Sequence, residues 1–345
     1  MAQINKPNLH FNTLLRTGNY SGGGGTTAIT GVGFAPGLMW EKKRNGTSIH
    51  ALLDQVRGNS KQIRSETTGA ETTSSQYASI DSDGFTVNNS GDYGGSDNLV
   101  SWHWKANGAG SSNSDGSTTA TVSANTTAGF SIVSWTGTGS ATTLGHGLGT
   151  TPQVILVKNR SEVYGWQMYH PGLGGNNKYI SINSSDAVAT DTASWNNTAP
   201  TSSVFSVGAS DANNKNTNNI IAYCYAEKKG YSKFGSYEGN GNANGTFIYT
   251  GFKPSFVLIK NITDAGELWE MFDNKRIGYN PKNHRLYAST NDAEDTSAER
   301  LDLLSNGFKI RTTGSHVNES GDTMIYMAFA ENPIIGSNNI PATAK

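Results

Sequence analysis

The feature that most constrains the fold of this 345-residue chain is a segment that occurs three times. Each copy contains a proline, an apolar run and a lysine six residues after the proline. The three pairs are Pro36/Lys42, Pro152/Lys158 and Pro254/Lys260. A repeat at a fixed spacing indicates a chain built from similar structural units. We therefore interpret the lysine as a strand-end feature of a repeated module, with the proline at the entry of the strand.

Further landmarks follow in the same order in every copy. His50, Trp166 and Trp269 stand fourteen or fifteen residues after the respective prolines. Each copy closes with a segment in which large apolar side chains alternate, and these pairs are Trp102/Trp104, Tyr223/Tyr225 and Met327/Phe329. Side chains two residues apart on a strand share one face, so we expect each pair to line a core.

The sequence predicts an all-β fold of three tandem β-sandwich modules of the jelly-roll or concanavalin-like type. Each copy has about 100 residues and several short segments of period two, as such sandwiches do. The predicted modules are residues 1–108 with a short N-terminal arm, 130–230, and 231–345 with a C-terminal tail. Residues 109–129, rich in Gly, Ser and Thr, are predicted as a linker, so modules 1 and 2 should be loosely connected and modules 2 and 3 packed end to end. Residues 293–307 are the best candidate for a short helix or turn.

Charge and composition exclude several classes of protein. The chain has 26 Lys and Arg against 27 Asp and Glu, without a block of like charge, which argues against nucleic-acid binding. The N-terminus lacks the features of a secretory signal, and no stretch approaches the roughly 20 apolar residues of a membrane span. Cys224 is the single cysteine, so no disulfide can form within the chain. The sequence predicts a soluble protein that is not exported by the general route.

The sequence shows no convincing catalytic or metal-binding motif. Its seven histidines lack the spacing of zinc ligands, and the lipase elbow and phosphate loop are missing. We expect no catalytic residues, no metal and no cofactor. A glycoside hydrolase needs two facing carboxylates, and Asp54 and Asp273 match between copies, but His170 takes that place in copy 2. Glu227 and Glu331 also match, and structural pairing of these edge charges is the preferred interpretation.

Aromatic residues near loop tips are the candidates for ligand binding. Tyr20, Tyr93, Trp195 and Tyr279 lie in polar, glycine- or asparagine-rich surroundings. Exposed rings there would stack on the apolar faces of sugars. The alternative is that they cover the ends of the sandwiches. The Asn-rich segment 210–219 lacks the spacing of a calcium loop, so a solvated loop is the preferred interpretation.

Several longer phrases together resemble a family of repeat-bearing marine bacteriophage proteins, described as structural or tail-fibre-like. They include "SWHWKANG", "GHGLGTTPQVILVKNR", "AYCYAEKKGYSKFGSYEGNG", "MAFAENP" and "NNIPATAK". The resemblance implies a virion component built of lectin-like sandwiches, assembled in the host cytoplasm, and it implies no catalytic residues. Module 1 departs most from the other copies, with Trp40 inside its apolar run.

The resemblance implies a non-enzymatic virion protein, most simply a tail fibre or adhesin that contacts a host surface polysaccharide. The alternative is a capsid decoration or head-fibre protein with a purely structural role, and a glycan-degrading enzyme is the third class. The expected partners are other virion proteins and further copies of the chain. No heptads are present for a coiled-coil shaft, so a trimer would form through sandwich faces or exchange of a C-terminal strand.

Overall fold

The computed structural model describes residues 3–18, 24–88, 96–335 and 341–342. The chain forms antiparallel sheets, with helical segments of only three or four residues in the described part. The predicted all-β fold with β-sandwich modules is confirmed. Each module pairs one large sheet with one small sheet, and a separate apolar core lies between the two.

Module 1 pairs a four-stranded sheet, in the order β1-β9-β3-β4, with a three-stranded sheet, β2-β8-β7. Its strands are β1 (Phe11–Thr17), β2 (Thr26–Thr30), β3 (Leu38–Lys43), β4 (His50–Asp54), β5 (Lys61–Gln62), β6 (Thr72–Thr73), β7 (Tyr77–Asp81), β8 (Gly84–Asn88) and β9 (Asn98–Trp104). A 3-10 turn, Pro7–Leu9, precedes β1. Met39 from the large sheet and Phe85 from the small sheet meet in the module's own core.

Module 2 has a six-stranded sheet, β10-β11-β12-β19-β14-β15, and a small sheet, β13-β18. Its strands are β10 (Ser111–Asn113), β11 (Ala120–Asn125), β12 (Phe130–Thr136), β13 (Thr142–Gly145), β14 (Val154–Asn159), β15 (Gln167–Tyr169), β16 (Lys178–Tyr179), β17 (Ala189–Thr190), β18 (Val204–Val207) and β19 (Asn219–Tyr225). The prediction of a linker at 109–129 is wrong, because β10 and β11 extend the large sheet. Ala120 and Val122 are buried on one face of β11, and this short apolar alternation anchors the segment.

Module 3 has a five-stranded sheet, β20-β27-β22-β23-β24, and a small sheet, β21-β26-β25. Its strands are β20 (Ser232–Glu238), β21 (Phe247–Tyr249), β22 (Pro254–Asn261), β23 (Glu270–Asp273), β24 (Leu286–Tyr287), β25 (Leu301–Leu304), β26 (Gly307–Ile310) and β27 (Thr323–Ala330). A strand pair, β28 (Ile334–Ile335) and β29 (Pro341–Ala342), follows.

The short helices lie elsewhere than predicted. Residues 293–307 contain β25 and no helix, because Leu301 and Leu303 alternate into the core of module 3. The helical segments are the 3-10 turn Pro171–Leu173, α1 (Asp211–Asn214) and α2 (Ser315–Asn318). The two α-helical turns occupy matching places before the closing strands of modules 2 and 3.

Each large sheet is buried on both faces. In β19, Ala222 and Cys224 point into the core of module 2, whereas Tyr223 and Tyr225 point into a second, larger core. This central core contains residues of all three modules, including the alternating aromatic pairs of the closing strands. The alternation predicted from the sequence is therefore present, but the face it marks is shared between modules.

The three modules meet at the centre through equivalent side chains. Trp104, Tyr225 and Phe329 end the closing strands of modules 1, 2 and 3, and each ring touches the other two, with centroid separations of 6.2, 5.9 and 5.5 Å. Mutual contact of three equivalent residues requires an approximately threefold, cyclic arrangement. The expected end-to-end packing of modules 2 and 3 and the expected loose connection of modules 1 and 2 are thus wrong. Each large sheet needs a neighbouring module to bury its second face.

Candidate functional site

The repeated lysines tie each module to the next. Their ammonium groups donate to backbone carbonyls of the neighbouring module, from Lys158 to Thr68 (3.2 Å), from Lys260 to Ser185 (3.4 Å) and from Lys42 to Asn291 (3.0 Å). We call these contact regions seam 2/1, seam 3/2 and seam 1/3, after the modules that supply the lysine and the carbonyl. All three side chains are fully buried, and burial lowers the pKa of each lysine to about 8. The three bonds run in one rotational sense, so the ring is closed.

The side chains at the second repeated position, His50, Trp166 and Trp269, form hydrogen bonds across the same seams. Trp166 Nε1 donates to Arg64 O across seam 2/1 (2.8 Å), and Trp269 Nε1 donates to Ser181 O across seam 3/2 (3.0 Å). At seam 1/3, His50 takes this place and its Nε2 donates to Tyr287 O (3.0 Å), while its Nδ1 accepts from Trp40 Nε1 (2.8 Å). Burial lowers the pKa of His50 to about 3, so the imidazole is neutral. Trp40 thus compensates in module 1 for the tryptophan that the other modules carry at the position of His50.

The two matching aspartates are held in buried ion pairs. Asp54 Oδ2 accepts from Arg57 Nε (2.5 Å) and from Tyr223 Oη across seam 2/1 (2.7 Å). Asp273 Oδ2 accepts in the same way from Arg276 Nε (2.6 Å). Burial acts to raise the pKa of Asp273, but the charge and hydrogen bonds of Arg276 outweigh it and the pKa is lowered. The two carboxylates belong to different seams, and each is saturated by a guanidinium, so they do not form the facing pair of a glycosidase.

A second ion pair lies beside each aspartate. Glu71 accepts from Arg160 Nε across seam 2/1 (2.8 Å), and Glu294 accepts from Arg44 Nη2 across seam 1/3 (2.8 Å). At seam 3/2 the matching residues are Val188 and Ile262, joined only through their backbones (3.0 Å). Leu173 of module 2 stands where modules 1 and 3 have Arg57 and Arg276, and its side chain lies in the central core. Since an apolar set fulfils the same role as the charged set, these charges are structural.

The edge glutamates are also paired. Glu227 accepts from Lys233 Nζ (3.1 Å), and Glu331 forms an ion pair with Lys253 (2.8 Å). The thiol of Cys224 is fully buried, and burial raises its pKa. Within the ranges that the structure describes, no group of three His, Cys, Asp or Glu side chains is placed to hold a metal ion. No helix in this part of the chain is long and apolar enough to cross a membrane.

The Asn-rich segment 210–219 is pinned by its own amides. Asn214 Nδ2 donates to Gly208 O (2.8 Å) and Ser140 O (2.7 Å), and Asn213 Nδ2 donates to Ser194 O (2.7 Å). Both asparagine side chains are fully buried. The two asparagines therefore hold neighbouring loops together from within the protein, which corrects their interpretation as part of a solvated loop.

The aromatic candidates have different surroundings. Tyr20 and Tyr93 lie outside the described residues. Trp195 is buried in the core of module 2, where its Nε1 donates to Lys178 O (3.1 Å), so its prediction as an exposed ligand-binding residue is wrong. A backbone hydrogen bond from Gly208 N to Ser194 O (3.3 Å) ties its turn to the end of β18 in the small sheet. Tyr279 is 72% exposed, so of the two candidates that the structure describes it is the one that offers a free ring face.

Tyr279 stands beside a polar cavity at seam 1/3. The cavity, which we call the seam pocket, has a volume of about 200 Å³. The polar residues in its wall come from β1, the start of β22, the turn after β23 and the end of β27, and they include Asn12, Thr13, Ser255, Asn274, Lys275 and Glu331. A smaller hollow of about 80 Å³, the rim hollow, shares Asn274 and Glu331 with it and contains Tyr279 and Lys253. The two together form a polar site across the boundary of modules 1 and 3.

The sequence did not single out Thr13, Asn274 or Lys275. The signal available was a comparison of repeats: Thr13 stands two residues after Phe11, and Ile132 stands two residues after Phe130. A polar residue in place of an apolar one on a core-facing position marks a place where the interior is open or hydrated.

These features define a class of protein, a single-chain ring of three β-sandwich modules. Its buried lysines and ion pairs form the contacts between the modules. The chain belongs to the family described as Domain of unknown function (DUF7483), whose model matches residues 6–333. No curated protein matches this sequence. The match extends across all three modules.

Proposed function

We propose that this chain is a non-enzymatic structural component of a bacteriophage virion, of the tail-fibre or adhesin type, which contacts a host surface glycan. The resemblance of the sequence to phage structural proteins supports the virion assignment. The observation that carries the binding role is the contrast within the seams: Asp54, Asp273 and the repeated lysines are bonded between modules, whereas the seam pocket is an open polar cavity lined by residues with amide and hydroxyl side chains. Such groups suit the recognition of sugars rather than their cleavage.

A second candidate is a capsid decoration or head-fibre protein with a purely structural role. The cyclic arrangement favours it, because a body with approximate threefold symmetry matches the local threefold positions of a viral shell. In either role the chain would bind other virion proteins and further copies of itself. The large-sheet faces are already buried inside the ring, so such contacts would use the outer faces and open sheet edges.

Two experiments test the proposal. Electron microscopy of phage particles with a gold-labelled antibody is expected to place the protein on the tail, and label spread over the head would support the capsid role instead. Incubation of the purified protein with lipopolysaccharide and capsular polysaccharide of marine bacteria is expected to give binding without chain shortening. Depolymerisation that disappears in Asp54→Asn or Asp273→Asn would contradict the non-enzymatic role, provided that the variants remain folded.

A further inference from the structure

The seam pocket lies at seam 1/3, and the equivalent positions of the other two seams carry different side chains. At seam 2/1, Ile132 stands where seam 1/3 has Thr13, and it is fully buried in the central core. Val56, in the place of Lys275, packs against that core as well. At seam 3/2 the place of Lys275 is taken by Gly172, and a Cβ there would lie only 2.8 Å from Ile325 Cγ2. Seam 2/1 is thus closely packed at the position where seam 1/3 has the polar Thr13, whereas at seam 3/2 that position is the exposed Ser236.

Two residues that line the pocket carry a polar side-chain atom that is buried and has no hydrogen-bond partner within the described protein. Thr13 is 6% exposed, and its Oγ1 has no partner. The buried Oδ1 of Asn274 likewise has none. Leaving such an atom unpaired is costly, whereas a ligand or water that bonds to it removes the cost. A hydroxyl on one side and an amide oxygen on the other suit a ligand with several hydroxyl groups, since each sugar hydroxyl both donates and accepts.

The size and charge of the seam pocket limit the class of ligand that it can bind. The volume of about 200 Å³ lies below the range of about 300–1,000 Å³ typical of drug-sized ligands, which favours a ligand of single-ring size. Glu331 is neutralised by Lys253 at 2.8 Å, and Lys275 is exposed to solvent, so no charged group in the wall is left buried without a counter-charge. The adjoining rim hollow presents the exposed ring of Tyr279, and aromatic rings stack on the apolar faces of pyranoses.

We propose that the seam pocket binds one uncharged pyranose unit through Thr13 and Asn274, and that the next unit of the glycan lies in the rim hollow against Tyr279. This inference rests on the proposed function and deepens it, since it places the glycan contact at seam 1/3. The ligand class is a neutral disaccharide or the end of a neutral polysaccharide.

Saturation-transfer NMR on the full chain tests the inference. The probes are glucose, galactose, mannose, N-acetylglucosamine and glucuronic acid, together with lactose, maltose and cellobiose. The pocket-closing variant is Thr13→Ile with Lys275→Val, which copies Ile132 and Val56 from seam 2/1. Because those residues already pack well at an equivalent seam, the variant should remain folded. Asn274→Gln, which copies Gln55, is a second variant that fills the pocket in case the first does not fold.

At least one neutral sugar is expected to bind the natural chain, and the pocket-closing variant should lose at least about tenfold in affinity. Tyr279→Ala should weaken binding of the disaccharide and leave that of the monosaccharide unchanged. The matched control is Tyr249→Thr, which removes another exposed tyrosine of module 3 and copies Thr30 from module 1; it should bind as the natural chain does. Binding that is unchanged in both pocket variants, binding of glucuronic acid alone, or no binding of any probe would overturn the inference.

A parallel measurement with the bacterial polysaccharides separates the two proposals. If they bind the natural chain and the pocket-closing variant equally, the glycan contact stands and its assignment to the seam pocket is wrong. If they do not bind at all, while small sugars bind in a pocket-dependent way, the site stands and the adhesin role is wrong.

Discussion

Substitution of Trp269 by alanine tests whether the seams hold the ring together. Trp269 is 1% exposed in the central core, and its indole N–H donates to Ser181 O of module 2 at 3.0 Å. Trp166 has the equivalent place at seam 2/1, where it is fully buried and donates to Arg64 O at 2.8 Å. The two tryptophans thus form a matched pair in one molecule.

The expected loss follows from the contacts. Truncation of a buried tryptophan to alanine costs about 3–5 kcal/mol of unfolding free energy, since apolar burial is lost and a cavity remains. Trp269→Phe keeps most of the apolar surface and removes the N–H, so it should cost less, with about 1 kcal/mol from the hydrogen bond alone. A whole domain has only about 5–15 kcal/mol, so the alanine variant should lose a large share of the stability of the ring.

Two measurements check this expectation. Denaturant unfolding followed by fluorescence and circular dichroism should give one transition for the natural chain, because the central core draws on all three modules. Hydrogen exchange should then locate the damage. Trp269→Ala should speed exchange of the Val188 amide, which bonds across seam 3/2, more than that of the Glu71 amide, which bonds across seam 2/1. Trp166→Ala should show the reverse.

Three outcomes would refute the reasoning. A cost below about 1 kcal/mol for either alanine variant would mean that the tryptophan is not an integral part of the core. Separate unfolding transitions of the natural chain would mean that the modules are independent. Equal acceleration of both amides in both variants would mean that the seams are not the local units described above.

Three further predictions concern the buried charges. Asp273→Asn should cost about 1.5–3 kcal/mol in denaturant unfolding, since it removes a charged hydrogen bond to the buried Arg276 guanidinium while Glu294 still accepts from it; a cost near zero would contradict the ion pair. The pKa of each of the three repeated lysines is lowered from 10.5 to about 8. Above about pH 8 the unfolded chain therefore binds more protons than the folded chain, and the free energy of unfolding should rise with pH. The rise should end near pH 10, where the tyrosines of the unfolded chain begin to ionise. Lys158→Met should flatten this rise, and an unchanged slope would argue against it. Burial raises the pKa of Glu270 to about 7, so ionisation of this carboxyl lowers the stability of the folded chain as the pH rises from about 4.5 through 7. Glu270→Gln, which copies Gln167, should therefore stabilise the chain at pH 8 and not at pH 4. Thermal unfolding at the two pH values would show the difference.

The strands and modules were predictable because their signals are local. In β27 the alternation of Met327 and Phe329 with smaller residues gives the period of two directly. Of the short helix or turn predicted at 293–307, only a turn at residues 305–306 is present, because the core of module 3 selects a strand for Leu301–Leu304. The strands at 111–113 and 120–125 were missed because serine and threonine fill most of their exposed positions, and this composition is also that of a linker.

The ring was not predicted, although a signal for it was present. Every residue of β22, "PSFVLIKN", is buried, and an unbroken apolar run is typical of a strand covered on both faces. The sequence does not state what covers the second face, because the covering residues are far away in the chain. The seam contacts have the same character: Lys42 bonds to Asn291, 249 residues later. The seam pocket was hidden for the same reason, since Thr13 and Asn274 meet only once the ring is closed.

Placing three modules in one chain has a consequence for valency. In a homotrimer of identical modules, one substitution would change every interface at once, so a pocket would open at all three or at none. Here residue 13 belongs to a single seam, and its equivalents Ile132 and Ser236 vary independently. The side chains of the seam pocket can therefore change without altering seams 2/1 and 3/2, which would be impossible in a homotrimer of identical modules.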